Sequence, residues 1–128
     1  MGSLRFIVRS SAAAAVAFQL CAQPVEANEC GQAAWYDGGK TASGEFSGPT
    51  DLTAAHRSLP FGTNVLVENL ANGLQVTVRV NDRGPFSAGR MIDLSRSAAE
   101  HIGMISSGTA RVRIRTPEEA VSLADGGC

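Results

Sequence analysis

The chain has 128 residues, with 11 Lys and Arg against 12 Asp and Glu and a formal net charge of −1. That balance excludes an electrostatic hold on nucleic acid or on an anionic membrane, both of which need clustered basic charge. The length suits one domain around one hydrophobic core.

Arg5 and Arg9 precede an apolar run over residues 11–20. The run is shorter than the roughly 20 residues of a membrane-spanning helix. A basic start, a short apolar middle and the small-residue exit Val25-Glu26-Ala27 make residues 1–27 a secretory signal, expected to be cut after Ala27. Cys21 follows the run, but bulky Leu20 stands just before it, where a lipid-anchoring signal wants small residues. Cys21 is therefore expected to leave with the signal, and the product to be secreted without a membrane anchor. Residues 28–128 then form the domain, with 9 basic and 11 acidic side chains once Arg5, Arg9 and Glu26 are gone. A neutral substrate held by shape and hydrogen bonds suits that charge. Cys30 and Cys128 lie at the two ends of this domain, and an even pair in a small exported chain reads as a disulfide.

In chain order, residues 31–36 form a first short strand and residues 37–40 a turn with two glycines. Residues 64–69 alternate, with Val65 and Val67 on one face. Ala71-Asn72-Gly73 is a hairpin turn, and residues 74–80 alternate again with Leu74, Val76, Val78 and Val80 inward. Gly84-Pro85 breaks the chain, and residues 91–94 form another short strand. Ser95 caps two helical turns over residues 96–102, which Gly103 stops. Residues 108–115 are the last strand, with Ala110, Val112 and Ile114 inward and Arg111, Arg113 and Arg115 on a wet face. The polar tail has at most a helical turn at residues 118–123. Short strands, many turns and one small helix predict a mainly all-β fold, a small closed barrel.

Polar residues gather in the turns. Trp35-Tyr36, Thr41-Ala42-Ser43-Gly44-Glu45, Thr53-Ala54-Ala55-His56, Leu59-Pro60-Phe61-Gly62-Thr63, Val80-Asn81-Asp82-Arg83-Gly84-Pro85-Phe86 and Ile92-Asp93-Leu94-Ser95 follow one another at short spacing. In this order they resemble the RlpA-like (rare lipoprotein A) family, over roughly residues 33–112. The resemblance implies a six-stranded double-psi β-barrel with one short helix, and a lytic transglycosylase acting on peptidoglycan glycan strands. Such enzymes cut the β-1,4 bond between N-acetylmuramic acid and N-acetylglucosamine and leave 1,6-anhydro ends. It implies Glu45, His56 and Asp82 as catalytic residues. Trp35, Tyr36, Thr41, Ser43, Asn81 and Arg83 are expected at the substrate, with no cofactor, no metal and a monomer in the periplasm or cell envelope. The family's longer insert after the Trp-Tyr pair is reduced here to Asp37-Gly38-Gly39-Lys40, which shortens one wall of the expected cleft. A non-catalytic, expansin-like glycan-binding or wall-loosening module on the same barrel is the alternative.

The residue chemistry is compatible with this. Glycoside cleavage needs an acid for the leaving oxygen. Asp82 ends an apolar strand, where burial favours the protonated carboxyl. Glu45 in its loop suits charge stabilisation or orientation of the C6 hydroxyl, and His56 a hydrogen bond to a carboxylate or the sugar. One of Trp35 and Tyr36 is expected at the cleft and the other in the core. Asp93 is expected to anchor Arg83 or Arg90.

Overall fold

The computed structural model describes Gly2, residues 24–122 and Cys128. Of the expected signal, residues 1 and 3–23 lie outside the described residues, Cys21 among them. The elements are β1 (Glu29–Tyr36), β2 (Gly39–Lys40), β3 (Phe46–Ser47), β4 (Thr53–His56), β5 (Asn64–Asn69), β6 (Gln75–Asp82), β7 (Arg90–Ser95), α1 (Arg96–His101), β8 (Thr109–Arg115) and α2 (Pro117–Ser122). Six strands close into a barrel in the order β1-β7-β4-β6-β5-β8, and β2 and β3 form a separate small ribbon. The β1–β7 and β4–β6 pairs are parallel and the remaining barrel pairs antiparallel.

Period-two alternation builds the interior. Val65 lies opposite Val78 and Val67 opposite Val76 across the β5–β6 hairpin, and all four are buried. Ile92, Leu94, Val112 and Ile114 complete the core from β7 and β8. Each such side chain, fully buried, stabilises the fold by about 1.5–3 kcal/mol before entropy is counted. At the hairpin tip Gly73 holds φ +75°, a left-handed conformation that suits glycine. Ser95 caps α1, its hydroxyl accepting from the Ala98 amide at 3.3 Å.

Several expectations are corrected. Thr53–His56, read as part of a turn, is strand β4, and all four residues are buried. With both faces covered, no alternation marks it. Gly39–Lys40, read as turn, pairs with Phe46–Ser47. Leu74, expected inward, is 48% exposed, because β6 begins only at Gln75. Arg113 and Arg115, expected on a wet face, are each 5% exposed. Helix α2 packs against β5 and β8 and covers that face, and Arg113 Nε donates to Asn28 Oδ1 at 3.3 Å. The described residues hold two helices, not one.

Helix α2 opens with a capping box. Glu119 Oε1 accepts from the Thr116 amide at 2.9 Å, and the Glu119 amide donates to Thr116 Oγ1 at 3.2 Å. Glu119 also accepts from the amides of Ala27, at 2.8 Å, and Asn28, at 3.2 Å. Burial alone would raise its pKa, but these donors outweigh it and hold the carboxyl below its ordinary value. Ala27, the last residue of the expected signal, is buried against the core. Cys30 and Cys128 are joined by a disulfide with their Cα atoms 5.9 Å apart.

Candidate active site

A single irregularity in the β4–β6 pairing creates the site. Ala54 lies opposite Val80 and Ala55 opposite Asp82, so Asn81 is skipped. The extra residue changes the parity of the strand. Val80 faces the core, and Asp82 joins the outward row with Ala55. On the other flank of β4, Ala55 lies opposite Asp93, between the core residues Ile92 and Leu94. Two carboxyl groups thereby meet on the outside of the barrel, on strands either side of Ala55.

They line a cleft of about 470 Å3 with Tyr36, Ala55, Phe86 and Arg90. Asp82 Oδ1 accepts from two main-chain amides, Ala42 at 2.8 Å and Arg83 at 2.9 Å. These bonds fix the carboxyl plane, and its Oδ2 has no hydrogen bond among the described residues. Asp93 is partly buried. Desolvation raises its pKa, the Arg90 guanidinium 3.9 Å away opposes this, and Asp82 adds to it. Burial likewise raises the Tyr36 phenol. The Tyr36 phenol lies against the Ser47 and Thr53 hydroxyls, whereas Asp93 Oδ1 and Arg90 Nε are buried and have no protein hydrogen-bond partner. Buried polar atoms are rarely left so. Asp93 and Arg90 both line this one cleft.

One segment walls the cleft, and the loop carrying Glu45 abuts it through Asp82. The loop carrying Glu45 is tied to the end of β6 by Ser43 N to Asn81 O at 3.2 Å and by the Ala42–Asp82 bond. Glu45 itself is exposed and forms a two-pronged ion pair with Arg79, at 2.8 and 2.6 Å. Arg79 holds its carboxyl below the ordinary value, so Glu45 stays an anion. The wall is the segment after Asp82, in which Phe86 is 83% exposed. Arg57 pins it, donating from Nε to Pro85 O at 2.8 Å and from Nη2 to Arg90 O at 2.6 Å.

The remaining expected residues divide. Tyr36 lies at the cleft, while Trp35 packs against the core with Arg96 over its ring at 5.7 Å. Thr41 and Ser43 use their hydroxyls inside the loop, Thr41 Oγ1 donating to Glu45 O at 2.7 Å and Ser43 Oγ accepting from Glu45 N at 3.3 Å. Asn81 is 1% exposed, its side-chain amide buried beside the Glu45 carboxylate. Arg83 turns away from Asp82, donating to Leu59 O at 2.8 Å and stacking over Phe61 at 4.0 Å. Asp93 does sit beside Arg90, but it also shares the cleft with Asp82. Phe86 was not singled out from the sequence. The signal was an aromatic after Gly84-Pro85, in a turn that cannot bury it. His56 lies apart from the Asp82 cleft. It lines a larger one of about 1320 Å3 with Glu29, Phe61 and Glu119. Among the described residues, no three His, Cys, Asp or Glu side chains gather as metal ligands.

A mixed six-stranded barrel closed in this order, with parallel and antiparallel neighbours alternating through β4, is a double-psi β-barrel. In solved structures it is similar to a mutant Clavibacter michiganensis expansin in complex with cellohexaose, with TM-score 0.59 and 20% identity over 70% of this chain and 50% of that one. The family model for lytic transglycolase matches residues 28–114, and the chain belongs to that family, as an RlpA-like member. It is 61% identical over 79 residues to the probable endolytic peptidoglycan transglycosylase RlpA of Nostoc sp., covering 62% of this chain and 21% of that protein. It is 51% identical over 92 residues to the endolytic peptidoglycan transglycosylase RlpA of Haemophilus influenzae, covering 72% of this chain and 31% of that protein. The chain thus spans less than a third of the length of these two relatives.

Proposed function

We propose that the protein is an endolytic peptidoglycan transglycosylase of the cell envelope, secreted and acting as a monomer on glycan strands. The observation that carries this reading is the Asp82–Asp93 pair on either side of Ala55, lining one cleft. The names of the relatives support the substrate. Burial of Asp93, with Asp82 adding to it, favours the protonated form of the Asp93 carboxyl.

In the proposed scheme Asp82 makes the transfers, because its Oδ2 is free while Oδ1 is clamped. Its proton passes to the oxygen bridging muramic C1 and glucosamine C4, and the C1–O bond breaks. The muramic C6 oxygen then bonds to C1, and its hydroxyl proton returns to the Asp82 carboxylate. Water is not consumed and the carboxyl is regenerated. Glu45, held as an anion by Arg79, stabilises positive charge on the sugar ring from the loop side. The exposed Phe86 ring offers the sugar a stacking face. The scheme calls on no cofactor.

A binding-only module is the second reading. The two-residue strands β2 and β3 favour it, since the Glu45 loop between them stays outside the lining of the cleft. Incubation with peptide-free glycan strands, followed by mass analysis of the ends, separates the two. Anhydro ends establish the transglycosylase. Reducing ends mean hydrolysis, and intact but retained strands mean binding alone; either result overturns the proposal.

A further inference from the structure

His56 lies outside the Asp82 cleft, yet its ring organises the turn that holds the cleft's wall. Nδ1 accepts from the amides of Ser58 and Leu59, each at 3.2 Å. Two donors on Nδ1 leave the ring proton on Nε2, which is paired with Glu29 Oε1 at 2.8 Å. The residue is 6% exposed, and both nitrogens are engaged. No atom of the ring is left to offer a sugar.

The turn it folds grips the cleft at both ends. Arg83 Nη1 donates to the carbonyls of His56, at 3.2 Å, and Leu59, at 2.8 Å. The amide of the same Arg83 is one of the two clamps on Asp82. Arg57, on the turn itself, reaches the carbonyls of Pro85 and Arg90. We infer that His56 is a positioning residue: its neutral ring shapes the turn, and the turn, through Arg83 and Arg57, sets the Asp82 carboxyl and the Phe86 wall. Glu29 fixes the tautomer. The inference rests on the enzymatic reading above only for its kinetic readout.

The test compares His56→Asn, His56→Ala and Glu29→Gln in the exported protein. Asn keeps a side-chain acceptor near the Nδ1 position, and Gln keeps an acceptor for Nε2–H. Nitrogen-15 imidazole spectra of the wild type are expected to show protonated Nε2 and bare Nδ1. His56→Asn and Glu29→Gln are expected to cleave glycan strands near the wild-type rate, with a pH profile of unchanged shape. His56→Ala, with no acceptor, is expected to lose on the order of 100-fold in kcat/KM, the scale of a misplaced catalytic group. A folded His56→Asn as inactive as the Ala variant, or one whose profile has lost a limb, overturns the inference. If the Ala variant does not fold, the Asn variant decides alone. If the wild type cleaves nothing, the enzymatic reading fails, and strand affinity becomes the readout. Weaker binding in His56→Ala than in His56→Asn then supports positioning, and equal binding overturns it.

Discussion

Asp82 and Asp93 stand opposite the same residue, Ala55, from the two strands that flank β4. Each depends on a different cause for its orientation, the skipped Asn81 for one and plain alternation for the other. Replacing Asp82 by Asn removes the transferable proton and keeps the shape. The expected outcome is a fall of at least about 100-fold in anhydro-end formation, with strand binding and melting temperature close to wild type. Mass analysis of ends and thermal unfolding check it. Undiminished turnover would remove Asp82 from the mechanism.

Asp93 gives a pH signature. Its folded-state pKa lies above the unperturbed 3.8, chiefly through burial, with Arg90 opposing and Asp82 adding. The folded state therefore binds the extra proton, and stability falls as pH rises from the unfolded value through the folded one. At neutral pH the buried charge is a net cost. Asp93→Asn is expected to melt higher than wild type at neutral pH, and the gain to shrink as the pH is lowered towards 3.8. Its cleavage rate is expected to fall. Melting curves across pH test the sign; a gain that grows on acidification contradicts it.

Phe86 contributes an exposed ring and little packing. Phe86→Ala is expected to raise KM several-fold with kcat almost unchanged, equivalent to about 1 kcal/mol of aromatic contact. Phe86→Trp is expected to restore affinity. Initial-rate kinetics on strands of defined length decide it, and an unchanged KM would place the sugar elsewhere.

The disulfide joins residues 98 apart. Cys30→Ser with Cys128→Ser is expected to lower stability by about 2–4 kcal/mol without changing the cleft. Denaturant unfolding of the double variant and of reduced wild type should agree. A loss much below that range would mean that the open chain keeps its ends together.

The β5–β6 hairpin was legible because Val65, Val67, Val76 and Val78 alternate around Asn72-Gly73, and Ser95 was legible as a cap. These signals are local. Strand β4 was not legible, since Thr53-Ala54-Ala55-His56 is covered on both sides and has no period to read. Arg113 and Arg115 misled for a related reason: alternation reports two faces, and α2 covers the second. The adjacency of Trp35 and Tyr36 says that one faces outward, but pairing decides which. The partnership of Asp93 with Asp82 was hidden because it exists only through Ala55 on a third strand. The turn-building role of His56 needs Ser58, Leu59 and Glu29 in place around the ring.

Because the skipped Asn81 turns Asp82 out to the side where Asp93 already stands, both carboxyls lie on the barrel's outer surface and the packed interior takes no part in the cleft. A long polymer can lie across such a surface side-on. No free end has to be threaded through a tunnel.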